Sequence, residues 1–197
     1  MRIKSWRLSV VLVLVAASLL LAVPGVAGAH VKAQYRAEYK AQLTSLNNGF
    51  VAFAGNYDNM KQASVDAAQG LAATTNHDAL VAQENWCLRV YNMYKGKPAM
   101  WAAAYSKVIA TFKGKAARYF ATAAQQRKFK HACVQLNTYD QVLVEMANNR
   151  VYESFRLLGM DPPAIEAAAA VMTDADEFAA TGHEGWDKWL AALRALL

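Results

Sequence analysis

The sequence predicts an all-α fold: an elongated helical bundle of about five to six helices, led by one long N-terminal helix. Three observations carry that expectation. Apolar residues recur at alternating spacings of three and four along most of the chain, Gly, Pro and Asn/Asp/Thr clusters punctuate the periodic stretches, and β-branched runs of period two occur only inside residues 1–29.

The first periodic stretch runs from Tyr39 through Leu43, Leu46, Phe50, Phe53, Tyr57 and Met60 to Ser64, Ala67 and Leu71. This spacing is the seam of a bundle helix and predicts one helix from near Val31 to about Ala73, on the order of 60 Å long. Gly49 and Gly55 fall inside it, and each costs up to about 1 kcal/mol relative to Ala, so a kink at Asn47-Asn48-Gly49 is weighed against an unbroken rod. Thr74 to Asp78 form the first loop, with Thr75 and Asp78 spaced to cap a second helix that ends at Lys95-Gly96-Lys97.

Pro98 suits the first turn of a third helix, whose buried stripe is Trp101, Tyr105, Val108, Phe112, Ala116, Tyr119 and Ala123. Its end lies either at Gly114 or near Gln125-Gln126. From Phe129 the stripe resumes through Ala132, Leu136, Tyr139, Leu143 and Met146 toward Phe155 and Leu158, with a phase slip at Asn148-Asn149. Gly159 and Asp161-Pro162-Pro163 form a stop and restart before an Ala-rich helix from Ala164 to about Met172. Thr181-Gly182-His183-Glu184 has capping-box spacing and predicts a separate final helix carrying Trp186, Trp189, Leu190, Leu193, Leu196 and Leu197. That helix is expected to close the core; lying on a membrane surface is the alternative.

Residues 1–29 read as a signal peptide. Arg2, Lys4 and Arg7 precede an apolar run of 16 residues, Leu8 to Val23, and Ala27-Gly28-Ala29 offers small residues where a signal peptidase cuts. The run is shorter than the ~20 residues of a permanent span, so cleavage after Ala29 is expected, with an uncleaved anchor as the alternative. Residues 30–197 then form a single all-helical domain, secreted or otherwise extracytoplasmic. Cys87 and Cys133 are the only cysteines. In an oxidising compartment an isolated pair predicts one disulfide between the second helix and the helix containing Phe129, two free buried thiols being the alternative.

Charge is unevenly distributed. Ten bases and no acid lie between Arg89 and Lys130, whereas residues 132–197 hold ten acids against four bases. A basic surface on the middle segment, drawn from Lys107, Lys113, Lys115, Arg118, Arg127, Lys128 and Lys130, predicts an anionic partner: a lipid surface, an acidic envelope polymer or an envelope protein. Nucleic acid ranks low, because the aromatics of this stretch fall on the apolar stripe rather than among the bases. The competing account has the basic helices beside acidic C-terminal ones, with the charges paired or solvated.

Catalytic signatures are lacking. No G-x-S-x-G or phosphate-cradling loop occurs, and no two histidines have metal-binding spacing, so binding rather than catalysis is expected and no cofactor is predicted. One metal reading survives: His30, once N-terminal, could offer its amine and imidazole to copper. A third reading is an apolar-ligand carrier built around Trp86, Tyr91, Trp101 and Tyr105.

Overall fold

A computed structural model describes residues 30–197; the expected leader lies outside the described residues. Among the described residues the chain is all-helical and contains no strand. A 3-10 turn, Ala33–Tyr35, leads into α1 (Arg36–Ala73), followed by α2 (His77–Tyr94), α3 (Lys97–Gly114) and the single turn α4 (Ala116–Tyr119). Helix α5 (Ala123–Gln141) passes through a π-helical turn, Val142–Ala147, directly into α6 (Asn148–Leu158), and α7 (Ile165–Arg194) completes the chain.

These segments make four antiparallel columns rather than five to six separate helices. α1 is the first column, α2 and α3 are two halves of the second, α5 and α6 the third, and α7 the fourth. Contacts between columns fix their directions. Gln83 of α2 donates to the Ala67 carbonyl near the end of α1 (3.1 Å), whereas Tyr105 of α3 donates to the Leu46 carbonyl, so the second column runs back along the first. In the third column Phe129 meets Tyr39 (5.9 Å between ring centroids) and Ser154 meets Ser64 (2.6 Å), so it runs parallel to α1. In the fourth, Asp176 lies beside Lys61 and Leu193 beside Tyr39, which is again antiparallel.

The seam read from α1 is the core seam: Tyr39, Leu43, Leu46, Phe50, Tyr57, Ala67 and Leu71 are all buried. At one end of the bundle Tyr39, Phe112, Tyr119, Phe120 and Phe129 form an aromatic cluster in which every residue is fully buried. Edge-to-face pairs of this kind add about 0.5–1.5 kcal/mol each beyond the area they bury. At mid-height Trp186 stacks on Phe50 with centroids 4.1 Å apart and planes nearly parallel. Trp186, Trp189, Leu190, Leu193 and Leu196 are all buried, so α7 closes the core as expected.

Several local expectations need correction. Asn76, not Thr75, caps α2, its side chain accepting from the Ala79 amide at 3.0 Å. Val108, placed on the buried stripe, is 45% exposed, because Tyr105, Ile109 and Phe112 carry the inward face of α3. No new helix starts at Thr181. α7 is continuous there because Gly182 and Gly185 let the fourth column approach the third, where a β-carbon on Gly182 would come within 2.9 Å of Leu143 Cβ. The third helix does stop at Gly114, and Thr122 with Gln125 forms a full capping box at the start of α5. Gly96 separates α2 from α3 in a left-handed conformation (φ 80°), which glycine adopts without the steric cost other residues incur.

The expected disulfide is absent: both thiols are free and buried. Cys87 sits at the level of Phe155, whose ring meets neighbouring Trp86 at 5.6 Å, while Cys133 sits one turn beyond Phe129, which packs on Phe112 at the opposite end. Along the third column those two levels are about 30 Å apart at 1.5 Å per residue. A disulfide tolerates no more than about 7 Å between α-carbons.

The phase slip expected at Asn148-Asn149 is the π turn just before it. A π turn admits one extra residue and leaves a carbonyl without its usual partner. Here the fully buried Asn148 supplies it, donating from Nδ2 to the Leu143 carbonyl at 3.0 Å, while its Oδ1 accepts from Asn56 at 3.1 Å.

Candidate basic end of the bundle

A plane through Phe50, Ala102, Gln141 and Gly182 cuts all four columns near mid-height, as the Phe50–Trp186 stack and the Gln141–Ser106 hydrogen bond indicate. The half containing the aromatic cluster holds twelve bases and four acids; the other half holds six bases and eleven acids. The uneven charge along the sequence therefore becomes a difference between the two ends of the molecule, net +8 against −5 among the described residues. The mechanism is topological: the basic C-terminal half of the second column turns into the basic start of the third at this end, whereas the acids of the second half of α1, the start of α2 and the first half of α7 meet at the other.

All seven bases expected to meet an anionic partner lie in the basic half, but they are not equivalent. Lys115 and Arg118 are turned onto Glu38 of α1. Lys115 Nζ lies 3.1 Å from Glu38 Oε1, Arg118 Nη2 lies 2.7 Å from Oε2, and the Tyr119 hydroxyl donates to Oε1 at 3.1 Å. These partners, Lys115 foremost, hold the Glu38 carboxyl below its ordinary range. Arg118 also lies over the Tyr35 ring, 4.7 Å from its centroid, and Lys32 Nζ donates to the Ala117 carbonyl at 3.1 Å. This knot pins the one-turn α4 to the start of α1.

The other five are available. Lys107, Arg127, Lys128 and Lys130 are exposed and Lys113 is half-buried, and none forms an ion pair with a described residue. The pairing of basic middle helices with acidic C-terminal ones does not occur among the described residues. Their inter-column ion pairs join α1 to Lys115 and Arg118 or, through Lys61 and Asp176 at 2.6 Å, α1 to α7.

The histidines are dispersed. His30 is exposed at the basic end, just before Val31, whose amide donates to the Leu196 carbonyl at 2.8 Å. His131 stands edge-on to Trp189, His183 stands edge-on to Phe50, and His77 is exposed at the start of α2. No group of three or more His, Cys, Asp or Glu residues placed to hold a metal ion occurs among the described residues. Of the four aromatics expected around an apolar ligand, Tyr105 is buried against Phe53 and Trp186, Trp101 packs on Phe53 and Tyr94, and Trp86 is 39% exposed over Phe155. Tyr91 borders an open cleft with Met146, Arg150 and Phe178.

The sequence reading missed Glu38 as the ion-pair partner of Lys115 and Arg118. The only signal was its position: one acid among Lys32, Arg36 and Lys40 at the start of the first periodic segment. No helix among the described residues is long and apolar enough to cross a membrane. Compared with known protein families, curated proteins and solved structures, the chain matches none.

Proposed function

We propose that this protein is an exported, non-catalytic binding module that engages an anionic component of the cell envelope through its basic end. The observation that carries the reading is the separation of charge between the two ends, with Lys107, Lys113, Arg127, Lys128 and Lys130 left without acidic partners among the described residues. Segregation of this kind orients a molecule in the field of a charged surface before contact and raises the encounter rate. Near an anionic lipid surface each Lys or Arg contributes about 1 kcal/mol, so a handful suffices for reversible attachment.

The test is sedimentation with vesicles containing phosphatidylglycerol, compared with purely zwitterionic vesicles and with an acidic wall polymer. Binding should weaken steeply as salt rises. Neutralising Arg127, Lys128 and Lys130 to Gln together should lower affinity about 100-fold while leaving the helical signal unchanged. Salt-independent binding, or equal binding by the triple variant, would remove the basis of the proposal.

A further inference from the structure

The two irregularities of the bundle lie beside one another. The left-handed break at Gly96 and the π turn Val142–Ala147 belong to neighbouring columns, and residues from both border a single open cleft of about 400 Å³. Its floor is the stripe Met146, Asn149, Arg150 and Glu153 of the third column, flanked by Tyr91 and Lys95 from the end of α2 and by Phe178 of α7. The extra residue of the π turn rotates everything after it by about 100° relative to α5, and this phase sets Asn149, Arg150 and Glu153 along the cleft.

The charges here do not cancel. Arg156 occupies Glu153, its Nη2 at 2.7 Å and its Nε at 2.9 Å from Oε1. Lys95 donates to Asn92 at 2.9 Å and stands over the Tyr91 ring. Arg150 is half-buried and has neither an ion pair nor a hydrogen bond among the described residues, an unusual state for a guanidinium with five donors. Beside these two cations, Met146, Phe178 and the face of Tyr91 supply apolar wall. The volume falls within the ordinary range for small-ligand sites, which combine an apolar lining with a few placed polar groups.

We infer that this cleft is a binding site for a small organic carboxylate with an apolar body, its carboxylate on Arg150 and Lys95 and its body against Met146, Phe178 and Tyr91. The site lies in the acidic half of the molecule and stands independently of the basic end. It places the small-ligand function on the outer side of Tyr91 rather than among Trp101 and Tyr105.

Benzoate is the probe, with benzyl alcohol lacking its charge and inorganic phosphate lacking its body. In amide-resolved NMR titrations of the purified protein, benzoate should shift signals from Tyr91 to Gly96, Met146 to Glu153 and Phe178. Both controls should bind at least about tenfold more weakly. Arg150→Gln should reduce benzoate affinity about tenfold, the ordinary size of a lost charge-assisted pair, and Arg150→Lys should recover part of it. An otherwise unchanged spectrum for each variant confirms that the bundle is intact. Absence of shifts at millimolar benzoate, shifts centred elsewhere, phosphate binding as tight as benzoate, or an Arg150→Gln variant of unchanged affinity would each overturn the assignment.

Discussion

Gly185 of α7 faces the ring of Tyr139 on α5 so closely that a β-carbon at that glycine would overlap three atoms of the ring. Tyr139 is fully buried and cannot swing away without opening the core. Gly185→Ala is therefore expected to destabilise the fold by about 1–3 kcal/mol, the usual cost of overpacking, despite alanine's higher helix propensity. Gly55, inside α1, has open space where a β-carbon would go. There Gly→Ala should stabilise by about 0.5–1 kcal/mol. Urea denaturation of the two variants checks the opposite signs; a loss at Gly55 or a gain at Gly185 would show the column spacing to be wrong.

Features set within one segment were legible in the sequence, and features set by a partner column were not. Leu43, Leu46, Phe50 and Tyr57 were legible as a buried seam because helical periodicity is a property of one segment. Gly96 and Pro98 were legible because a stop and a start are local chemistry. Thr181-Gly182 was misread as a helix start because the reason for glycine at 182 is the close approach of the partner column. Cys87 and Cys133 were paired by compartment and number alone, and neither says at what height a residue sits. Charge segregation was visible along the chain, but its conversion into two unlike ends required the topology, and Glu38's capture of Lys115 and Arg118 required knowing where α1 begins to pack.

Free thiols give the second prediction. Burial pushes Cys87 up to about 11 and Cys133 up to about 12, which leaves almost no thiolate at neutral pH. Alkylating reagents should leave the native protein largely unmodified for hours and label both cysteines quickly in denaturant without prior reduction. A mass two units lighter than the dithiol, with labelling only after reduction, would establish a disulfide instead.

Asp140 gives the third. It is fully buried on α5 and neither carboxylate oxygen has a hydrogen-bond partner among the described residues, so burial pushes its pKa from 3.8 up to about 8. Below the unfolded value both states hold the proton. Between about 4 and 8 the unfolded chain releases it while the folded chain retains it, so stability must fall as pH rises through that window. Asp140→Asn, which cannot ionise, should remove this component of the pH dependence and exceed the parent in stability above neutrality, by an amount on the order of a few kcal/mol. Urea midpoints for both proteins across the window provide the check. Parallel curves would mean that Asp140 reaches solvent or a partner when ionised.

Glu38 couples stability to the basic end and supports the last prediction. Its carboxyl is held below its ordinary value of 4.5 chiefly by Lys115, with Tyr119 and Arg118 adding to the effect. A depressed acid contributes stability that is fully present above the unfolded value and is lost as pH falls through the folded one. Glu38→Gln should therefore lower the denaturation midpoint at neutral pH, and the difference from the parent should shrink as pH drops below the ordinary carboxylate range. The same substitution removes the one anion holding Lys115 and Arg118, returning two cations to an end where Lys107, Lys113, Arg127, Lys128 and Lys130 already lack acidic partners among the described residues. Retention on an anionic matrix should rise even as stability falls. Stability and binding moving in opposite directions distinguishes release of those cations from simple unfolding, since a variant that merely loosened the bundle would also disperse the charges that make its end basic.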